Sequence, residues 1–302
     1  MLPDLPVLAL KLRDYALWIL PAYLLTIGIT SGLNALIARY DPAGYSMASG
    51  GKKARSLPAA PSRWLLRRLL GRTSDAGSRA GTATRLWILT TSTAITPPAL
   101  ILTAALNPGL ALLRLGGALL LCGLVAALVA GLSGSGRSSP RIPEAAAPPA
   151  PAGAAGSSLL GFLRLWWLQI GPLLDQTISP LLVSALLGGL FTAWRPATLL
   201  VRWLAQQDLM AVVPMSLATI LMPFPAGTDI PLARALQTYD VPLPAVFTLL
   251  LGAPLLNWTC LRGIRAEYGR RTLLIFLASG LGAVILLGLL IGVLFGRDAF
   301  TY

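Results

Sequence analysis

Histidine is absent from this chain of 302 residues, and cysteine occurs only twice, as Cys122 and Cys260, each inside or at the end of an apolar run. These shortages exclude a disulfide framework and any metal site rich in His or Cys. Lysine is scarce as well, confined to Lys11, Lys52 and Lys53. No glycine-rich loop ends in Lys-Ser or Lys-Thr, so ATP hydrolysis through a phosphate-cradling loop is excluded. Any transport by the chain is then passive, ion-coupled or driven by another subunit. Acidic residues number 11 and lie scattered. With no histidine beside them they assemble no catalytic constellation, so neither an enzyme nor a cofactor is expected.

Charge of both signs is thin: 12% of residues are charged and 55% are hydrophobic. A soluble domain carries about 25% charged residues, so the composition implies a polytopic membrane protein. A bilayer crossing needs about 20 apolar residues. The segments 15–37, 86–107 and 110–132 in the first half, and 172–194, 241–261 and 271–295 in the second, are the candidates; 208–223 leads into a broken region that enters and leaves on one side, or else crosses fully and changes the count. The first is read as a retained helix, because no small-residue cleavage site follows it. Between the halves, 133–158 is rich in Pro, Ala, Gly and Ser, the composition of a flexible linker. The chain divides into a first half at 1–132 with a basic loop at 38–85, the linker, and a second half at 159–302.

The basic residues are concentrated. Arg39, Lys52, Lys53, Arg55, Arg63, Arg67, Arg68, Arg72, Arg79 and Arg85 fall in or beside the first loop, opposed only by Asp41 and Asp75. Cytoplasmic loops of membrane proteins collect such residues, and the loop would face anionic lipid head groups rather than nucleic acid. Within it, 61–72 (PSRWLLRRLLGR) reads as a short basic amphipathic helix on the membrane surface. Docking of a soluble or membrane partner is the alternative use. If each half has three spans, Arg137, Arg141, Arg164, Arg262, Arg265, Arg270 and Arg271 join the loop on the cytoplasmic side. Lys11, Arg13, Arg114, Arg195, Arg202 and Arg297 then lie opposite. An odd number of spans per half makes the halves inverted relative to each other. A shift of 157 residues superposes Thr91 on Thr248, Pro97 on Pro254, Arg114 on Arg271 and Gly123 on Gly280, a degenerate internal repeat.

One segment breaks the apolar pattern. Residues 222–231 read MPFPAGTDIP, with three prolines, Gly227 and a bare carboxylate, Asp229. Proline removes an N–H and clashes with the preceding turn, so no helix continues through it. Irregular backbone at membrane depth persists only when buried in protein or lining a cavity. An ionisable group there marks a functional site. The broken segment is taken as 222–239, and Asp229 with Thr228, Gly227, Pro225 and Pro231 are its site candidates. Asp229 also reads as a helix N-cap for 230–239, and Thr228 as cap or ligand; both roles can hold together. Arg234 is a possible counter-ion. Breaks at Thr96–Pro97–Pro98 and Pro254–Asn257 are expected to free carbonyls, with Thr96 and Asn257 supplying hydrogen bonds beside them, or else to serve only as packing kinks. Asp175 is either an interfacial residue or a proton or cation carrier. Trp18, Trp87, Trp194 and Trp258 suit an interfacial belt, and glycines spaced by four suit close helix packing.

The run MPFPAGTDIPLARALQTYDVPLPAVFTLLLGAPLLN at 222–257 resembles the predicted-permease family that includes the organoarsenical efflux permeases. Pro231, Leu232, Ala233 and Leu236 match the element after that family's turn, and Gly252, Pro254 and Asn257 match the end of the following span. The stretch 95–117 looks like the first-half counterpart. The family's turn cysteine is missing here, so capture of a soft metalloid by thiolate is not implied. The expectation is therefore an all-α, multi-pass permease of about six full spans plus a re-entrant segment, placed in a bacterial inner membrane and moving a small solute or ion. The alternative is a non-transporting scaffold that docks a partner through its basic loop.

Overall fold

The computed structural model describes residues 5–41, 61–62, 64–66, 79–133, 159–193, 195–222 and 227–296. The linker, Pro225, Trp194 and most of the basic loop lie outside them. Among the described residues all regular structure is helical: α1 (Leu5–Tyr40), α2 (Arg79–Ala94), α3 (Pro97–Leu106), α4 (Pro108–Ser133), α5 (Leu159–Ala193), α6 (Arg195–Gln206), α7 (Val212–Leu221, preceded by a 3-10 turn at Asp208–Ala211), α8 (Ile230–Gln237), α9 (Leu243–Leu256) and α10 (Trp258–Phe295).

Five apolar segments are long enough to cross a membrane: Leu12–Tyr40, Pro108–Leu132, Leu159–Leu190, Leu243–Ala266 and Tyr268–Phe295. A sixth exists if α2 and α3, bent by 41° at the Ile95–Thr96 break, count as one span. These helices carry leucines and valines on their outer faces as well, with Leu17, Leu120, Leu182, Leu286 and Val293 exposed. A helix apolar on all sides is at home in a protein core or in lipid. The bundle is an integral, multi-pass membrane protein. At its centre lies α9, in which every residue from Leu243 to Leu256 is buried.

Small residues fix how the helices run. Gly292 of α10 lies against Leu209 and Pro244, Gly288 against Val212 and Thr248, and Gly280 against Leu255 and Leu256. Gly252 of α9 meets Thr219 of α7. α7 and α9 therefore descend together from one end of the bundle, and α10 returns antiparallel to both. α1 and α5 are antiparallel too: the Tyr23 and Thr177 hydroxyls share a hydrogen bond of 2.5 Å, and Trp166 donates its indole N–H to the Gly28 carbonyl at 2.9 Å.

The apolar stretch that leads into the break, 208–223, is too short to count as a crossing. α7 has 10 residues, a length of about 15 Å at 1.5 Å per residue, half of a hydrocarbon core of about 30 Å. The chain turns after Met222 and returns through α8, so α7 and α8 form a hairpin open at one end of the bundle. Gly227, at φ +96°, lies in the turn that opens α8. The piece expected to lie as a surface helix also departs from its reading. Where it is described, at 61–62 and 64–66, it is helical, but Pro61 is buried and the Ser62 hydroxyl donates to the Ile95 carbonyl at the α2–α3 break. Trp64 donates to Asp41 at 2.8 Å. An uncapped carbonyl at a broken helix needs a donor, and this segment brings one.

Candidate functional site

Two breaks meet at one place. Thr96 leaves helical geometry (φ −92°, ψ 149°), and its hydroxyl oxygen accepts the Ala99 N–H at 3.2 Å, capping α3. Pro97 and Pro98 fill the first two positions of α3, where no N–H is needed. Against this helix start sits Gly227, at φ +96°. A Cβ on it would lie 3.0 Å from the Ala99 nitrogen and 3.1 Å from the Pro98 carbonyl carbon. Only glycine accepts both that dihedral and that approach.

Asp229 occupies the N-cap position of α8, yet its side chain makes no capping bond. Oδ1 accepts the Gly227 N–H at 2.9 Å, and Oδ2 accepts Nη2 of Arg114 at 2.9 Å. Both side chains of this ion pair are fully buried. Arg114 comes from α4, and its Nη1 donates to Thr103 Oγ1 at 2.9 Å. Thr103 in turn donates to the Ala99 carbonyl of α3 at 2.5 Å. The guanidinium thus ties α4, α3 and the hairpin together around the Gly227 turn. Its Nε, also buried, has no acceptor. Thr228 is buried beside Asp229, as is Pro231, whose carbonyl faces Gly188 of α5.

Arg114, not Arg234, is the counter-ion of Asp229. Arg234 instead lies over the ring of Trp18, 3.9 Å from its centroid, so Trp18 holds a cation as well as lining a span end. Sequence reading counts Arg114, near the start of the span at 110–132, among the basic residues of the non-cytoplasmic face. A lone arginine six residues into an otherwise apolar run was the available signal. As a buried residue it contributes nothing to the charge asymmetry of the loops.

The other candidates are placed as follows. Pro254 lies inside α9, and the helix ends three residues later at Asn257, which is extended (ψ 154°). Asn257 Oδ1 accepts the Cys260 N–H at 2.7 Å, and its amide donates to the Pro254 carbonyl at 2.9 Å. This second break satisfies its own backbone groups through the Asn257 side chain. Asp175 is exposed on the outer face of α5. It stands 13 residues from Gly188, about 20 Å along the helix, and does not join the pair. Cys122 is buried and Cys260 half-buried, both as free thiols. Among the described residues no three His, Cys, Asp or Glu gather into a possible metal site.

No family model, curated protein or solved structure matches the chain. What can be said of its chemistry rests on the pair itself. A desolvated guanidinium and carboxylate, set beside the starts of two helices, can bind charge, exchange partners or lock the hairpin shut.

Proposed function

We propose that the chain is a membrane permease that moves a small solute or ion by alternating access, using the junction of the α7–α8 hairpin with the α2–α3 break as its site. The carrying observation is the fully buried Arg114–Asp229 ion pair at that junction. A charge in a bilayer is costly by about 2.5–3.5 kcal/mol even on insertion scales. Two charges buried where a hairpin tip meets a broken helix suit a site that opens, since a purely structural contact is met as well by apolar packing. Irregular backbone held within protein at that depth fits the same use.

The degenerate match between the two halves supports the reading. Ser62 contacts Ile95, and Thr219 contacts Gly252. A shift of 157 residues carries the first pair onto the second. In each half a segment from the preceding loop reaches the middle of a span that is broken nearby, at Thr96 or at Asn257. Ser62, from the basic loop, then stands as the counterpart of Thr219 in α7. The resemblance to the organoarsenical efflux permeases agrees with this plan, without the cysteine that would take up a soft metalloid.

The rival reading, a scaffold with the permease fold but no flux, is favoured by the completeness of the burial, since a sealed ion pair also serves as a staple. Uptake and resistance across a panel of small solutes, in cells lacking other exporters, separates the two. The intact chain should change at least one flux and Asp229→Asn should abolish it at equal membrane expression. Equal flux with and without the carboxylate rejects the site, and no flux for any solute favours the scaffold.

A further inference from the structure

We propose that Arg114 is a carboxylate-binding residue, and that a solute carboxylate takes the place of the Asp229 carboxylate upon it. The inference names a substrate class for the permease site and rests on that reading for its transport meaning, though not for the binding itself.

Three observations carry it. Asp229 is held as a bound carboxylate would be, one oxygen on a guanidinium Nη2 and the other on the Gly227 backbone N–H, each at 2.9 Å. Charge-assisted bonds of this kind are the geometry by which arginine recognises carboxylates. Second, the Nε of Arg114 is buried with no acceptor. A guanidinium presents five N–H donors, and a buried donor left unmade is costly, on the order of 1–3 kcal/mol. The site therefore has more donor capacity than Asp229 uses. Third, the local charge does not balance. Arg114 and Asp229 cancel, but the starts of α3 and α8 both lie at the Gly227–Asp229 turn. Each helix start carries about half a positive charge, so the junction is left about one unit positive, which favours an anion and opposes a cation.

The exchange needs no new chemistry. No bond forms or breaks except hydrogen bonds: Nη2 and Nε pass to the incoming carboxylate, and Asp229 swings away with the hairpin. In the arrangement described here Asp229 fills the position, which makes it an internal competitor. A competitor that fills the site most of the time leaves only a small competent fraction, and apparent affinity is scaled down to that fraction. Removing its charge should therefore tighten binding, the opposite of what loss of a ligand does.

Acetate is the probe, titrated into the purified full-length protein against sodium chloride at equal ionic strength, with bound label and thermal stabilisation as readouts. Asp229→Asn should bind acetate about tenfold more tightly than the intact chain. Arg114→Gln should abolish the effect. Because that single variant leaves Asp229 unpaired, R114Q/D229N, which sets amide against amide, serves as the folded control and should bind no acetate. Identical acetate dependence in the intact chain and Asp229→Asn, binding retained by R114Q/D229N, or an equal effect of chloride each overturns the proposal. Acetate binding with no flux in vesicles would leave the inference standing and reject the permease; flux of a non-anionic solute without acetate binding would do the reverse.

Discussion

A guanidinium shut away from water has to be matched by what surrounds it, and Arg114 is matched chiefly by Asp229 and Thr103. Removing one member leaves the other as an uncompensated buried charge. Arg114→Met alone should cost about 3–5 kcal/mol, whereas R114M/D229L, which removes both charges, should come within about 1 kcal/mol of the intact chain or exceed it. Chemical or thermal denaturation in detergent measures the cycle; similar losses for the single and double changes would show that shape, not charge, holds the junction. Gly227 offers a second residue-scale prediction. At φ +96° and against the backbone of α3, Gly227→Ala should destabilise by about 1–3 kcal/mol. Gly116→Ala, with nothing within 4 Å of the added Cβ, is its control and should be neutral or slightly stabilising. At this scale the sequence revealed half the pair. Asp229 stood out because prolines isolate it from any helix. Its partner did not, because 115 positions separate the two and no local pattern encodes such a contact.

The elements are shaped by where helices stop. Both breaks use a side-chain oxygen to cap the next helix, Thr96 for α3 and Asn257 for α10. Thr96→Val and Asn257→Ala should each cost about 1 kcal/mol, with Asn257→Asp recovering part of the loss because its oxygen still accepts from Cys260. Equal stability of the alanine and aspartate variants would show that Asn257 acts as a packing residue. These breaks were legible, since proline and a capping residue announce them. The spans were legible for a different reason: twenty apolar residues have few other fates. What length and hydropathy do not encode is the direction of the chain after a break, so 208–223 reads in sequence as one arm of a re-entrant segment or as a crossing, and the 10 residues of its helix favour the former. The segment at 61–66 escaped for the converse reason. Its arginines speak for the surface, while the carbonyl that draws it inward belongs to a residue 33 positions away.

For the molecule as a whole, the decisive property is sidedness. The glycine contacts put the turn after α8 and the C-terminal end of α10 at one end of the bundle, because Leu209, Pro244 and Gly292 lie together. The reversal of α10 at Gly269 (φ +84°) lies at the other, flanked by Arg262, Arg265, Arg270 and Arg271. The positive-inside bias predicts the cytoplasm for that second end, and the loss of Arg114 from the opposite tally sharpens the prediction. In a background lacking Cys122 and Cys260, a cysteine at Asp240, exposed in the turn, should react with an impermeant maleimide added to intact cells. A cysteine at Arg270 should react only after permeabilisation. Reaction of both from one side would mean that α9 and the first part of α10 do not cross together, and with that the hairpin would cease to be re-entrant. The reverse pattern would keep the fold but turn it over, so that the α7–α8 hairpin opens to the cytoplasm.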